Sequence, residues 1–170
     1  MKKKTRIMFL GIVLLFAVAM SGCGVSQKTP ESVVESLVKS YVGGSEKKVK
    51  KCYTQETDTN ELLQKEIDAT MKYFAAHEPS KVKVDKCDTL SENEDYTYVY
   101  ILYNLVLSND QEYPCIGTYM VKKDGSKYYV MAPSEITDDL RKQAAADYAK
   151  FMTTDTYKNY TKAYNVFVKK

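Results

Sequence analysis

The chain carries two hydrophobic rhythms, and it changes from one to the other twice. After Thr29–Pro30–Glu31, the apolar positions Val34, Leu37, Val38 and Tyr41 recur at helical spacing. A hydroxyl cap, a proline at the first helical position and an acid in the first turn mark where that helix begins. Gly43–Gly44 predicts its end, because glycine takes left-handed dihedrals at little cost. Ser45–Glu46 predicts a short second helix that carries Val49 and Cys52 to about Tyr53. Asp58 and Glu61 form a capping-box pattern for a third. Its apolar face is Leu63, Ile67, Thr70, Met71 and Phe74, and it runs to about His77 before Pro79 stops it.

From Lys81 the period becomes two. Lys81–Val82–Lys83–Val84 alternates as a half-buried strand does, and Ser91–Glu92–Asn93–Glu94 predicts a turn. Asp95 to Leu107 is the longest strand candidate. Tyr96, Tyr98 and Tyr100 fall on one of its faces; Val99, Ile101 and Tyr103 fall on the other. From Tyr100 onward both faces are mostly apolar, which predicts a central strand covered on both sides. Glu112 to Lys122 predicts a third strand, with Pro114 at a bulge or an edge. Asp124–Gly125 predicts a tight hairpin into a return strand, Lys127 to Met131, ended by Pro133.

At Ser134 the helical period returns. Leu140, Ala144, Tyr148 and Phe151 form one stripe; after Thr153–Thr154–Asp155, Tyr157, Tyr160, Tyr164 and Phe167 form another. The element order predicts an α+β fold: N-terminal helices packed on a curved antiparallel sheet of about four strands, with a C-terminal helical extension over 134–170. Helices this short are marginal alone in water. The tail is therefore expected to pack on its own domain, against the sheet face that the first helices leave bare. A partner protein or a second copy is the alternative.

The start of the chain changes the charge picture. Met1–Lys2–Lys3–Lys4–Thr5–Arg6 precedes an unbroken apolar or small run from Ile7 to Met20, too short for a membrane span of about 20 residues. It reads as a removable leader over 1–22, followed by a polar tether over 23–28 and a domain over 29–133. Removing the leader takes away four basic residues and no acid. The remaining 21 basic and 22 acidic side chains nearly cancel, so charge gives no reason to expect nucleic acid.

Candidate chemistry is sparse. No phosphate loop, dinucleotide fingerprint or nucleophile elbow is present, so no catalytic residue and no cofactor is assigned. Cys52, Cys87 and Cys115 have no metal-site spacing, and His77 is the single histidine, so no metal is expected. The three cysteines predict either one disulfide, Cys52 with Cys87 or Cys115, or three small buried side chains. Tyr96, Tyr98 and Tyr100, with Tyr119 and Tyr128 as cross-strand partners, are candidates for a ligand platform, with ordinary sheet pairing as the alternative. Tyr157, Tyr160, Tyr164 and Phe167 are candidates for a lid or a partner surface. Asp85, Asp88, Glu92, Glu94 and Asp95 read as a solvated rim.

Ser21–Gly22–Cys23 at the end of the leader resembles a bacterial lipobox. The resemblance implies that Cys23 is lipidated and becomes the first mature residue, and that the domain is anchored on the extracytoplasmic side of the cell membrane. Thr29 to Tyr41, the Glu46–Tyr53 segment and the four strands to Met131 resemble the nuclear-transport-factor-2-like (cystatin-like) fold, and within it the uncharacterised lumazine-binding-like lipoproteins. That fold implies a cavity between helices and sheet. A non-enzymatic domain that binds a small ligand or an envelope protein is the first expectation. A small-molecule enzyme of isomerase or dehydratase type, and a structural envelope protein docking through its tail, are the alternatives.

Overall fold

In the computed structural model, residues 24–54 and 59–169 are described; the leader, Cys23, the Asp58 cap position and Lys170 lie outside them. Helix α1 spans Pro30–Val42. Thr29 Oγ1 accepts the Ser32 N–H at 3.1 Å, and Ser32 Oγ accepts the Thr29 N–H at 3.0 Å, so two otherwise orphaned donors at the helix start are satisfied. Helix α2 spans Glu46–Lys50 and α3 spans Glu61–Ala76, the latter capped by Asn60 through the Leu63 N–H. The apolar faces expected of α1 and α3 point inward: Val34, Leu37, Val38, Leu63 and Ile67 are fully buried.

Four strands follow: β1 (Lys81–Glu92), β2 (Thr97–Val106), β3 (Glu112–Asp124) and β4 (Lys127–Val130). They form an antiparallel sheet in sequence order. β1 is far longer than its Lys81–Val84 alternation foretells. The register slips between Val84 and Lys86 and again between Thr89 and Ser91. Each extra residue moves the following side chains to the opposite face, so the period-two signal vanishes while the strand continues. Asp85 and Asp88 consequently lie within β1, exposed, and not in a loop. Gly125 opens the β3–β4 hairpin with a φ of 58°, which a residue with a Cβ rarely adopts.

The two sheet faces have different covers. Val99, Ile101, Tyr103 and Leu105 of β2 share a core with α1, α2 and α3. Tyr96, Tyr98 and Met120 project from the other face and pack against Leu140, Ala144 and Tyr148 of α4 (Asp138–Phe151). Phe151 at the end of α4 lies over Tyr100, with ring centroids 4.5 Å apart. Helix α5 (Asp155–Phe167) then runs against β3. β4 pairs with β3 only over Val121–Asp124, so α5 covers the outer edge of β3 where β4 has stopped. Covering an open strand edge removes a template for pairing with other chains. The tail thus packs on its own domain.

The turn that leads from β4 into the tail is held by polar contacts at Glu135. Glu135 accepts from Thr54 Oγ1 at 2.6 Å and from the Ala132 N–H at 2.7 Å, and it pairs with Lys122. Burial alone would raise its pKa; the donors from Lys122, Thr54 and Ala132 outweigh burial and hold the carboxyl below its ordinary value.

Cys52, Cys87 and Cys115 are all free thiols, which corrects the disulfide expectation. Each donates to a backbone oxygen of a different segment: Lys48, Glu31 and Tyr113. Their separate local partners explain why sequence order is a poor guide to pairing.

Candidate functional site

Tyrosine hydroxyls meet where α1, α2, α3 and β3 converge. Tyr41 comes from the inward face of α1, and Tyr53 follows α2 and bridges to Val130 of β4. Their hydroxyls lie 3.1 Å apart in a buried hydrogen bond. Tyr119 of β3 enters from the sheet; its ring lies across Gly117, where an added Cβ would come within 3.0 Å of the ring and 3.3 Å of the hydroxyl. A side chain at 117 would make the Tyr119 ring shift by a few tenths of an ångström. Thr70 and Glu66 approach from α3, one turn apart.

Burial raises the pKa of all three tyrosines. For Tyr41 the rise, opposed by its bond to Tyr53, reaches about 12. Burial also raises Glu66, whose negative charge in turn pushes Tyr41, Tyr53 and Tyr119 upward. Glu66 lies at the margin of the cluster, with much of its side chain exposed to solvent. The cluster holds hydroxyl protons at neutral pH and offers a carboxylate at its margin. That equips it to hydrogen-bond a polar ligand, or to exchange a proton with one.

The thiols are not poised for chemistry. Burial pushes Cys52 and Cys87 up to about 12 and Cys115 to about 11, so each stays protonated at neutral pH and is a poor nucleophile. His77 caps α3. Its Nδ1 lies 2.8 Å from the Tyr73 carbonyl, which can only accept, and its ring stacks on Tyr113 at 5.5 Å. Among the described residues no group of three His, Cys, Asp or Glu is placed to hold a metal ion.

The tyrosines singled out in the sequence do not form one platform. Tyr96, Tyr98 and Tyr100 are buried beneath α4 and Phe151. Tyr119 pairs with Val99, on the opposite face, and packs with Tyr128 against the α1–α3 core. Of the tail residues, Tyr157 meets Phe151 and Tyr148, while Tyr164 and Phe167 meet Tyr113; Tyr160 links Tyr157 to Tyr164. Tyr41, Tyr53 and Glu66 carried no sequence signal as a site, since each sits in an ordinary helical or turn context 12 or more residues from its partner.

No family model and no curated protein matches the chain. Solved structures similar to it include a Campylobacter jejuni protein described as a candidate NTF2-like transpeptidase (15% identity, TM-score 0.44, 61% of this chain and 97% of that one). They also include a SEC-C motif-containing protein from Rhodopseudomonas palustris (13%, 0.43, 61% and 76%). A third is an NTF2-like protein of unknown function from Shewanella oneidensis (16%, 0.40, 58% and 89%). At these TM-scores the likenesses are distant, and the α+β fold stands on its own element order and register.

Proposed function

We propose that this protein is a lipid-anchored domain on the outer face of the cytoplasmic membrane that works by binding. One observation supports binding over turnover most directly: α4 and α5 lie on the second sheet face and along the β3 edge, so the chain closes both faces of its own sheet. What remains for recognition is outer surface and the hydroxyl cluster at Tyr41, Tyr53, Tyr119 and Glu66. The anchor rests on the basic leader and Ser21–Gly22–Cys23. Metabolic labelling with a fatty acid tests it: the wild-type chain takes up label and Cys23→Ala takes up none. Label retained on Cys23→Ala would overturn the anchor.

A second reading, a small-molecule enzyme of isomerase or dehydratase type, is favoured by one feature. A carboxyl with a raised pKa beside protonated tyrosines is a plausible acid–base pair for moving a proton on a bound molecule. Fold by itself does not choose between the two.

A further inference from the structure

We infer that the outward face of α5 rests on an anionic bilayer, an inference that builds on the lipid-anchor reading. The first support is the tether. The Gln27 carbonyl accepts the Tyr128 N–H at 3.0 Å, the Gln27 side-chain amide donates to the Lys51 carbonyl at 3.0 Å, and the Ser26 N–H donates to Ser36 Oγ at 2.9 Å. The chain is therefore held to β4, α2 and α1 from Ser26 onward. Ser26 is three residue steps from Cys23, and an extended chain spans at most about 3.6 Å per step, roughly 10 Å in all. A lipid on Cys23 holds the domain against the headgroups with no long spacer.

The second support is placement. The Tyr128 and Val130 N–H groups point away from β3, to the carbonyls of Gln27 and Cys52. The tether thus runs along the outer edge of β4. α5 flanks β3 on that same side, where β4 ends. The Gln27 tether, beside Tyr128 opposite Lys123, and α5, beside Tyr113, lie at successive positions along one edge of the sheet.

The third support is the surface itself. With its aromatic stripe turned inward, α5 presents Lys158, Lys162, Val166 and Lys169 outward. They line a shallow groove of about 550 Å³ together with Met152. Met152 is 41% exposed, Val166 53% and the adjoining Val168 54%. From Thr156 to Lys170 the chain has four lysines and no acid, although the chain without its leader is nearly neutral. Two acids lie near this face: Asp155 at the helix start, 3.8 Å from Lys158, and Glu112 of β3, which borders the groove beside Lys162 and Val166 and pairs with Lys83. Lysines flanking the exposed Val166 and Met152 match an anionic headgroup layer: the charges meet phosphates, and Val166 and Met152 enter the acyl boundary. An acidic protein surface would satisfy the lysines but leaves the shared edge with the tether unexplained.

Hydrogen exchange of the full chain reconstituted in nanodiscs tests this. In phosphatidylglycerol discs, amides of 157–168 are expected to exchange more slowly than in phosphatidylcholine discs, and the difference disappears at high salt. The triple substitution Lys158→Gln, Lys162→Gln and Lys169→Gln removes the difference while α1 exchange stays unchanged, which reports an intact fold. Each lysine near an anionic surface contributes about five-fold in affinity, so losing three weakens the contact on the order of 100-fold. Equal exchange in both lipids overturns the inference, as does protection that appears only when envelope proteins are added. Failure of the anchor is read separately, from fatty-acid labelling.

Discussion

At the scale of single residues, the side chain that most separates binding from structure is Glu66. Burial raises its pKa, so the folded state holds its proton more tightly than the unfolded chain does. A carboxyl raised on folding contributes its stability at pH below its unfolded value, and that contribution is lost as pH rises through the folded value. At neutral pH the ionised carboxylate is therefore a small burden on the fold. Glu66→Gln should raise the thermal midpoint at pH 7, with the gain shrinking toward about pH 4, where the wild-type carboxyl is also neutral. Thermal melts across that range decide it. A lower midpoint at pH 7 would mean that the carboxylate is anchored by the structure.

Among the elements, α4 is the one whose removal reaches furthest. Its stripe of Leu140, Ala144 and Tyr148 seals Tyr96, Tyr98 and Met120, and Phe151 sits among Tyr100, Tyr148 and Tyr157. Phe151→Ala should destabilise the protein by about 3–5 kcal/mol, because it deletes a nearly buried ring and leaves a cavity between helix and strand. Chemical denaturation monitored by far-ultraviolet dichroism measures this. A loss under about 1 kcal/mol would show that α4 is only loosely attached. Helix α5 depends on α4 through Tyr157, and on β3 through Tyr113, whose ring lies 4.9 Å from Phe167 and 6.2 Å from Tyr164.

At the scale of the whole molecule, two cores share one sheet. The larger lies between the sheet and α1–α3; the smaller lies between the sheet and α4. β2 contributes to both, as the mostly apolar character of both its faces requires. Truncation after Pro133 strips the smaller core and bares Tyr96, Tyr98, Tyr100 and Met120. Each buried aromatic or methionine contributes roughly 1.5–3 kcal/mol by area, so the truncated domain should melt earlier and bind an apolar dye. An unchanged midpoint with no dye binding would show that the tail serves something other than its own sheet. The full chain should unfold in a single transition because β2 ties the two cores together.

Local chemistry was enough to foretell the elements. Helix stripes, the Thr29 cap, Gly43–Gly44 and the Asp124–Gly125 hairpin act over a few residues, so they read directly along the chain, and so does the double burial of β2. The sequence also determined that the tail must find a packing surface, since its aromatic stripe cannot stay in water. The long β1 was hidden because bulges erase alternation without ending the strand. The separation of Tyr119 from the Tyr96–Tyr98–Tyr100 ridge was decided by register, in which Val99 and not Tyr98 or Tyr100 faces Tyr119. The meeting of Tyr41, Tyr53, Tyr119 and Glu66 was decided by how α1 and α3 cross the sheet. Contacts between residues far apart in the chain depend on the mutual placement of whole elements, and no short stretch of sequence carries that information.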